Sequence, residues 1–531
     1  MMPNHEAPAP LGRDTREETF TVARNVSTRY LAIAVEIILG LVILPFNIAH
    51  LGKSAYGLWM LTASITAYFS ILDLGYSGAQ VKFVAQYRAK RDIRALNEIL
   101  STTFYLFTAF AVVIYLVAIV LAVLLGRLFH LTPEQVHVGR IVLLATSLTV
   151  SVSTAFSVFG GVINGFQRYD LNNVVSTISS VVTALVNVAV LMAGYGLVEL
   201  VLATTTVRVA TYWVYRANAY RVFPGLRLRM HDFSLARLRE VTMFSVYMML
   251  IDWANKLNFS VDVLVIGAFL NTSAVAVWSV AQRLAETTQR LTNQLNDVLF
   301  PTVVDNDASR RLDRLQGIFL VGTRLSLATV VPIAGALMLL ARPLVEAWVG
   351  PDFLGSAIIV QLLALTVIVR VGNATAGTLL KGAGRHRLVA FSNAGAALVN
   401  LSLSVAVVRS WGLPGVAIAT LVPVSFVAMF LLFPAGCRRV QLPLRRALVL
   451  AVWPAVWPAA VMTAFVALTR PLIPISLRAV GAEAVAAVTI YAATFLAFAV
   501  SARERRVYIE KALELLTVRR RVAVRPVSEG A

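Results

Sequence analysis

Apolar residues in this 531-residue chain run in long blocks separated by short polar links. A helix needs about 20 such residues to cross a bilayer. Blocks of that size cover 28–49, 54–73, 101–125, 139–162, 171–193, 197–216, 242–267 and 275–299, then 316–340, 356–380, 388–408, 413–434, 447–469 and 479–500. Links as short as Gly194-Tyr195-Gly196 suit antiparallel helical hairpins. The expected fold class is all-α, a polytopic membrane protein of about 14 transmembrane helices. The polar stretch up to Thr19 has no apolar core followed by a small-residue cleavage site, so the first block is expected to stay in the membrane.

Composition agrees: 58% of residues are hydrophobic, 14% are charged and the mean hydropathy is +0.76. Soluble domains average roughly 45–50% apolar and about 25% charged, so a water-soluble enzyme is excluded. Cys437 is alone, which rules out an internal disulfide or a cysteine metal cluster. The net charge of +20 raises nucleic acid as a partner, but its placement answers the question. If the N-terminus lies inside, the outer links carry only Lys53, Arg127, Arg342, Arg409, Arg470 and Arg478, and most other Lys and Arg fall in inner links. This bias sets both termini in the cytoplasm and uses up the basic excess without nucleic acid. Two inner segments, Val81–Ile99 and Arg503–Arg521, mix basic and apolar residues. They read either as topology signal or as helices touching anionic lipid or a cytoplasmic partner.

The chain also repeats itself. Ser54-Ala55 and Trp59 match Ser273-Ala274 and Trp278 at an offset of 219. Gly165, Arg168 and Leu171 match Gly382, Arg385 and Leu388 at 217, and Gly196-Leu197 matches Gly412-Leu413 at 216. Spans 1–6 therefore recur as 7–12. The expected organisation is a cytoplasmic segment 1–27, a six-helix lobe 28–216, an inter-lobe linker 217–241 and a second lobe 242–434. Two further helices (447–500) and a basic tail (501–531) complete it. An even number of spans gives both copies one orientation, which is a transporter architecture.

Ionisable residues inside spans are costly and face cavities or partners. Span 1 holds Glu36, span 6 Arg208, span 9 Arg324 and span 10 Arg370. Span 7 holds Asp252 and Lys256, one turn apart, which either line a cavity or pair with each other. Span 8 is the richest: Gln282, Glu286, Gln289 and Asn293 recur at three or four residues and form one stripe, flanked by Arg283 and Arg290. Such a face cannot lie against lipid and is expected to line water or a polar ligand. Pairing of Glu286 with Arg290 is the competing structural reading. Guanidinium groups without nearby acid suit a phosphate-bearing ligand. Glu36 reads either as an ion-coupling carboxylate or as a partner for one arginine. Nucleotide-cradling, zinc-helix and nucleophile-elbow motifs are missing from the sequence, so no cofactor, metal or catalytic residue is expected.

Arg24-Asn25-Val26, Leu51-Gly52 with Ala55-Tyr56-Gly57-Leu58-Trp59, Leu72-Asp73-Leu74-Gly75-Tyr76 and Val298-Leu299-Phe300-Pro301 together resemble the Wzx-type polysaccharide flippases. These belong to the multidrug/oligosaccharidyl-lipid/polysaccharide superfamily. The resemblance implies V-shaped lobes around a cationic cavity lined by spans 1, 2, 7 and 8, in a bacterial inner (plasma) membrane. It implies an undecaprenyl-pyrophosphate-linked oligosaccharide as substrate, turned from inner to outer leaflet by alternating access. Membrane lipids, and a polymerase and glycosyltransferases of the same pathway, are the implied partners. Span 1 departs from the pattern by offering Glu36 and no central arginine, so anion binding would rest on the second lobe. The alternatives are an ion-coupled multidrug antiporter, which wants acid rather than arginine in its cavity, and a polytopic polymerase or glycosyltransferase, which wants a long outer loop.

Overall fold

The computed structural model describes residues 14–69, 76–501 and 504–506, and these are helical with no strand among them. Helices α1 (Asp14–Phe69), α2 (Tyr76–Ala89), α3 (Ile93–Leu128), α4 (Pro133–Gly165), α5 (Tyr169–Met192) and α6 (Leu197–Val222) come first. Then follow α7 (Leu235–Phe269), α8 (Thr272–Ala308), α9 (Leu312–Leu339), α10 (Ala341–Val349) and α11 (Ser356–Gly382). Last are α12 (His386–Arg439), α13 (Leu444–Leu472) and α14 (Leu477–Ala499). Ten of the described helical stretches are long and apolar enough to cross a membrane. The protein is a multi-pass membrane protein. Two of the ten hold two predicted spans each. Gly52 (φ 76°) breaks α1 and Gly412 (φ 59°) breaks α12, a conformation that costs a residue with Cβ about 1–2 kcal/mol.

The chain forms two compact units, one of residues 1–280 with 401–413 and the other of 281–400 with 414–531. In the first, Phe83, Leu100, Phe107, Phe159 and Ile163 centre a core between α2, α3 and α4. Segment 401–413 belongs there partly because Arg409 lies 5.2 Å over the Phe269 ring. In the second, Val303, Leu315, Phe319, Leu379 and Phe433 play the equivalent part.

The backbone carries the repeat more clearly than the side chains do. Arg91 (φ 55°) and Arg310 (φ 52°) are both left-handed and lie 219 residues apart. The amides of Arg91 and Asp92 donate to the carbonyls of Arg88 and Tyr87, and those of Arg310 and Arg311 to Asp307 and Asn306, again at 219. Gln167 (φ 61°) and Gly384 (φ 74°) form a second such pair at an offset of 217. Their following amides, Arg168 and Arg385, bond Ile163 and Leu380. All four are helix ends closed by a left-handed residue and paired 6→1 and 5→2 bonds. Asn97 donates to the Gly225 carbonyl as Gln316 does to that of Val440. A Cβ on Gly165 would strike Val84, and one on Gly382 would strike Val303.

Two expectations are refined. Val81–Ile99 is not one surface helix. It is the end of α2, a left-handed turn, and the start of α3 capped by the Asp92 side chain. The apolar face of α2 (Tyr76, Ala79, Phe83, Val84, Tyr87) is spent on packing inside the first unit, leaving only its basic edge exposed. Within 217–241, α6 continues to Val222, and the following loop is tied to α3. Asn97 Oδ1 accepts from Arg227 N, Ser101 Oγ from Arg229 N and Thr102 Oγ1 from Ser234 N.

Near the α13–α14 turn, Glu483 has a fully buried carboxylate held by Arg470 Nη1 at 2.9 Å and by Thr469 Oγ1 at 3.1 Å. Arg470→Ala would strand that charge, and the expected cost is about 3–5 kcal/mol, read as a fall in melting temperature of the detergent-solubilised protein. The Arg470→Ala, Glu483→Ala double variant should recover part of the loss, since it leaves no orphan charge. A single variant as stable as wild type would refute the pairing.

Candidate functional site

Helix α8 turns its small and apolar residues inward: Ala281, Leu284, Ala285, Thr288 and Thr292 are buried. Thr288 and Thr292 satisfy their hydroxyls on the carbonyls of Leu284 and Thr288, so they cost the packed face nothing. About a quarter turn round lie Gln282, Arg283, Glu286 and Gln289, all half-buried, with Arg290 exposed beyond them. The stripe read from the sequence thus occupies one partly open face. Within it, one turn apart, Gln282 Nε2 donates to Glu286 Oε1 at 2.7 Å. Arg283 meets no carboxylate among the described residues, which leaves a half-buried guanidinium with its donors available. The side chains of Asp252, Lys256 and Asn293 lie outside the described residues.

The remaining candidates scatter. Arg324 is mostly buried on α9 and forms an ion pair with Glu504, 180 residues away. Burial alone pushes the Glu504 carboxyl up, but the Arg324 guanidinium and the Ser501 amide and hydroxyl donate to it and hold it below the usual carboxylate range. Arg324 is therefore already matched and is a structural anchor for the chain after α14. Arg370 on α11 is half-buried, Arg208 on α6 is exposed, and Glu36 is exposed on the first rod of α1. Glu36 and Arg208 belong to the first unit, and the α8 stripe, Arg324 and Arg370 to the second. Most of the tail 501–531, and Leu72-Asp73-Leu74-Gly75 of the third motif, lie outside the described residues.

Two motifs acquire physical reasons. Asn25 Oδ1 accepts from the Asp170 amide, Asn25 Nδ2 donates to the Gln167 carbonyl, and Arg24 Nε lies 3.2 Å from the buried Asp170 carboxylate. Arg24-Asn25 thereby pins the start of α1 to the α4–α5 turn. At the other end of α1, Ser54 Oγ receives Gln135 Nε2 at 2.8 Å, and the same amide reaches Thr272 Oγ1 at 3.2 Å. Gly57 lies so close to Thr272 that its own Cβ would sit 1.8 Å from the carbonyl oxygen. Beyond Thr272, the next residue it would meet is Ala276, through its amide at 3.2 Å, and Ala276 is the counterpart of Gly57 in the repeat. Sequence reasoning missed Asp170 and Gln135 because neither stands in a span or a recognisable motif.

A multi-pass helical protein whose chain repeats its own turns and presents a polar helix face has the architecture of a transporter. The chain belongs to the family described as polysaccharide biosynthesis protein, whose pattern matches residues 22–306. It is 23% identical over 411 residues to the probable flippase AglR of Haloferax volcanii, covering 76% of this chain and 81% of that one. It is 24% identical over 371 residues to the succinoglycan biosynthesis transport protein ExoT of Rhizobium meliloti, covering 69% and 70%. Its fold resembles the lipid II flippase MurJ in an inward closed conformation, with a TM-score of 0.70 at 13% identity over 89% of this chain and 98% of that one. It also resembles an inward-facing MATE multidrug transporter, with a TM-score of 0.63 at 16% identity over 77% and 94%. These two likenesses show the fold that this chain shares with them.

Proposed function

We propose that this protein is a flippase that moves an undecaprenyl-pyrophosphate-linked oligosaccharide from the inner to the outer leaflet for cell-surface polysaccharide assembly. The observation that carries the reading is the half-open face of α8, where Arg283 meets no carboxylate among the described residues and stands beside an amide-bound Glu286. A sugar–pyrophosphate head cannot cross hydrocarbon, so the protein need only supply a polar path while the lipid tail stays in the bilayer. No bond is made or broken, and the chain acts as a transporter rather than an enzyme. Substrate contacts are assigned to Gln282, Arg283, Glu286, Gln289, Arg290 and Asn293, with Asp252, Lys256, Arg208 and Arg370 as further polar groups along the spans and Glu36 as a coupling carboxylate. The organisation that goes with this function is 14 helices: lobes 28–216 and 242–434 joined by 217–241, the added pair 447–500, and both termini on the cytoplasmic side of a bacterial plasma membrane. A polymerase and glycosyltransferases of the same assembly would hand over and receive the cargo.

The test is reconstitution into liposomes with a fluorescent lipid-linked oligosaccharide, following its accessibility to an outside quencher. Protein-dependent transfer is expected. Dissipation of a cationic dye gradient without glycan transfer would replace the flippase with the antiporter. Orientation is checked separately: a reporter after Ala531 should read cytoplasmic and one near Pro351 external, and an external C-terminus would make the span count odd.

A further inference from the structure

We propose that the first unit carries a pocket for the phosphate of a lipid headgroup, distinct from the α8 face. A cavity of about 500 Å³ opens where α2, the α4–α5 turn and the end of α6 converge, lined by Arg88, Phe166, Arg168, Leu171, Asn218, Arg221 and Val222. Three arginines from three separate segments face one space. None of the three has a matching carboxylate to itself among the described residues. Arg88 Nη1 donates to the Gly165 carbonyl at 3.2 Å, and its guanidinium lies 5.2 Å over Phe166, which in turn stacks on Phe223. Arg168 meets Asp170 at 3.1 Å, but the same buried carboxylate also meets Arg24, so one acid faces two guanidinium groups. Arg221 is exposed, and among the described residues neither it nor Arg88 meets a carboxylate. The pocket therefore has a positive excess and pre-oriented planar donors, the combination that takes phosphate oxygens in pairs.

The internal repeat supplies a control within the same chain. The counterpart of Arg88, 219 residues on, is Asp307, and it is ion-paired with Arg439. The second copy thus neutralises the position that Arg88 leaves cationic in the first. Closing that helix end does not require Arg88, since the same turn forms with Asp307 in its place.

The surroundings favour a phosphate that is attached to a lipid. Leu171 on the pocket wall continues along α5 into Val174, Ile178 and Leu185, spaced on one face and 45%, 58% and 64% exposed. Asn218 continues along α6 into exposed Val214, one turn away. A chain leaving the phosphate would run along these apolar faces within the membrane. A free anion would gain nothing from them.

The test is native mass spectrometry of the full chain in detergent, titrated in separate arms with phosphatidylglycerol, phosphatidylcholine and inorganic pyrophosphate. Phosphatidylglycerol is expected to bind more tightly than phosphatidylcholine, whose phosphate already carries a cation. Arg88→Gln with Arg221→Gln should weaken phosphatidylglycerol roughly thirtyfold, on the order of fivefold for each arginine near an anionic lipid. Arg216→Gln, whose guanidinium instead stacks over Trp213 and Tyr220, should leave it unchanged. Should the double variant fail to fold, Arg221→Glu at its exposed position keeps the measurement open, with a loss of about tenfold expected. Unchanged phosphatidylglycerol affinity in a variant that melts like wild type would overturn the pocket. Pyrophosphate binding as tight as phosphatidylglycerol would overturn the lipid assignment and leave a site for a soluble anion.

Discussion

Alanine at both Arg283 and Arg290 is expected to slow flipping of lipid-linked oligosaccharide by at least about a hundredfold while leaving protein levels near normal. The magnitude follows from two charge-assisted contacts at about 1.5–3 kcal/mol each, discounted for the exposure of Arg290. Arg283 should dominate, because it is half-buried and meets no carboxylate among the described residues. Lysine at 283 should restore only part of the rate, since a point charge attracts pyrophosphate without the paired donors of guanidinium. Glu286→Gln should raise substrate affinity by removing the one negative charge from this part of the stripe, and it should slow release. Its partner Gln282 keeps an acceptor on the new amide, so stability should hardly change. Flipping in proteoliposomes, measured beside the melting temperature, separates these effects. Normal transport by the double alanine variant would remove α8 as the anion site. A stability loss equal to the transport loss would make the arginines packing residues.

Gly57→Ala should be the most disruptive added methyl group among the described glycines. The added carbon would lie 1.8 Å from the Thr272 carbonyl oxygen and 2.6 Å from its carbon, where non-bonded contact normally begins near 3.5 Å. Neither atom can rotate away, because both are backbone. The second rod of α1 must shift from the start of α8, and the Ser54–Gln135–Thr272 hydrogen bonds beside it must shift too. Overpacking costs about 1–3 kcal/mol where side chains can yield, and the expected loss here is at or above the upper end. Gly395→Ala is the matched control. It lies in α12 with nothing within 4 Å of the added carbon, so helix propensity alone should make it neutral or stabilising by about 0.5–1 kcal/mol. Equal melting temperatures for Gly57→Ala and wild type would mean that the two backbones do not approach in this way.

The features that were legible in the chain are those with a period. Blocks of about 20 apolar residues can only be satisfied as membrane helices, because lipid offers backbone groups no partner. The α8 stripe was readable because 3.6 residues per turn places 282, 286 and 289 together whatever the neighbours do. The duplication was readable from a few matched letters, and it reappears as left-handed turns at Arg91 and Arg310 and at Gln167 and Gly384. Four-residue geometry of that kind is local, so sequence carries it.

Everything decided between distant segments needed the tertiary structure. Arg324 shows no acid near it in sequence, yet it is matched by Glu504. Arg88, Arg168 and Arg221 sit on three different links, where each alone is ordinary topology charge. Only the convergence of α2, the α4–α5 turn and α6 turns them into one cationic pocket. The α2 face that reads as lipid-facing is packed against its own unit, since amphipathicity states that a face must be buried but not in what. Gly57 stands in the motif after span 1 with no role that the sequence assigns, whereas its structural role is to let two backbones meet. Amino-acid order determined the elements, their repetition and the faces they present. Packing decided which charges are partnered, because a partner is a distance in space and the chain alone specifies only distance along itself.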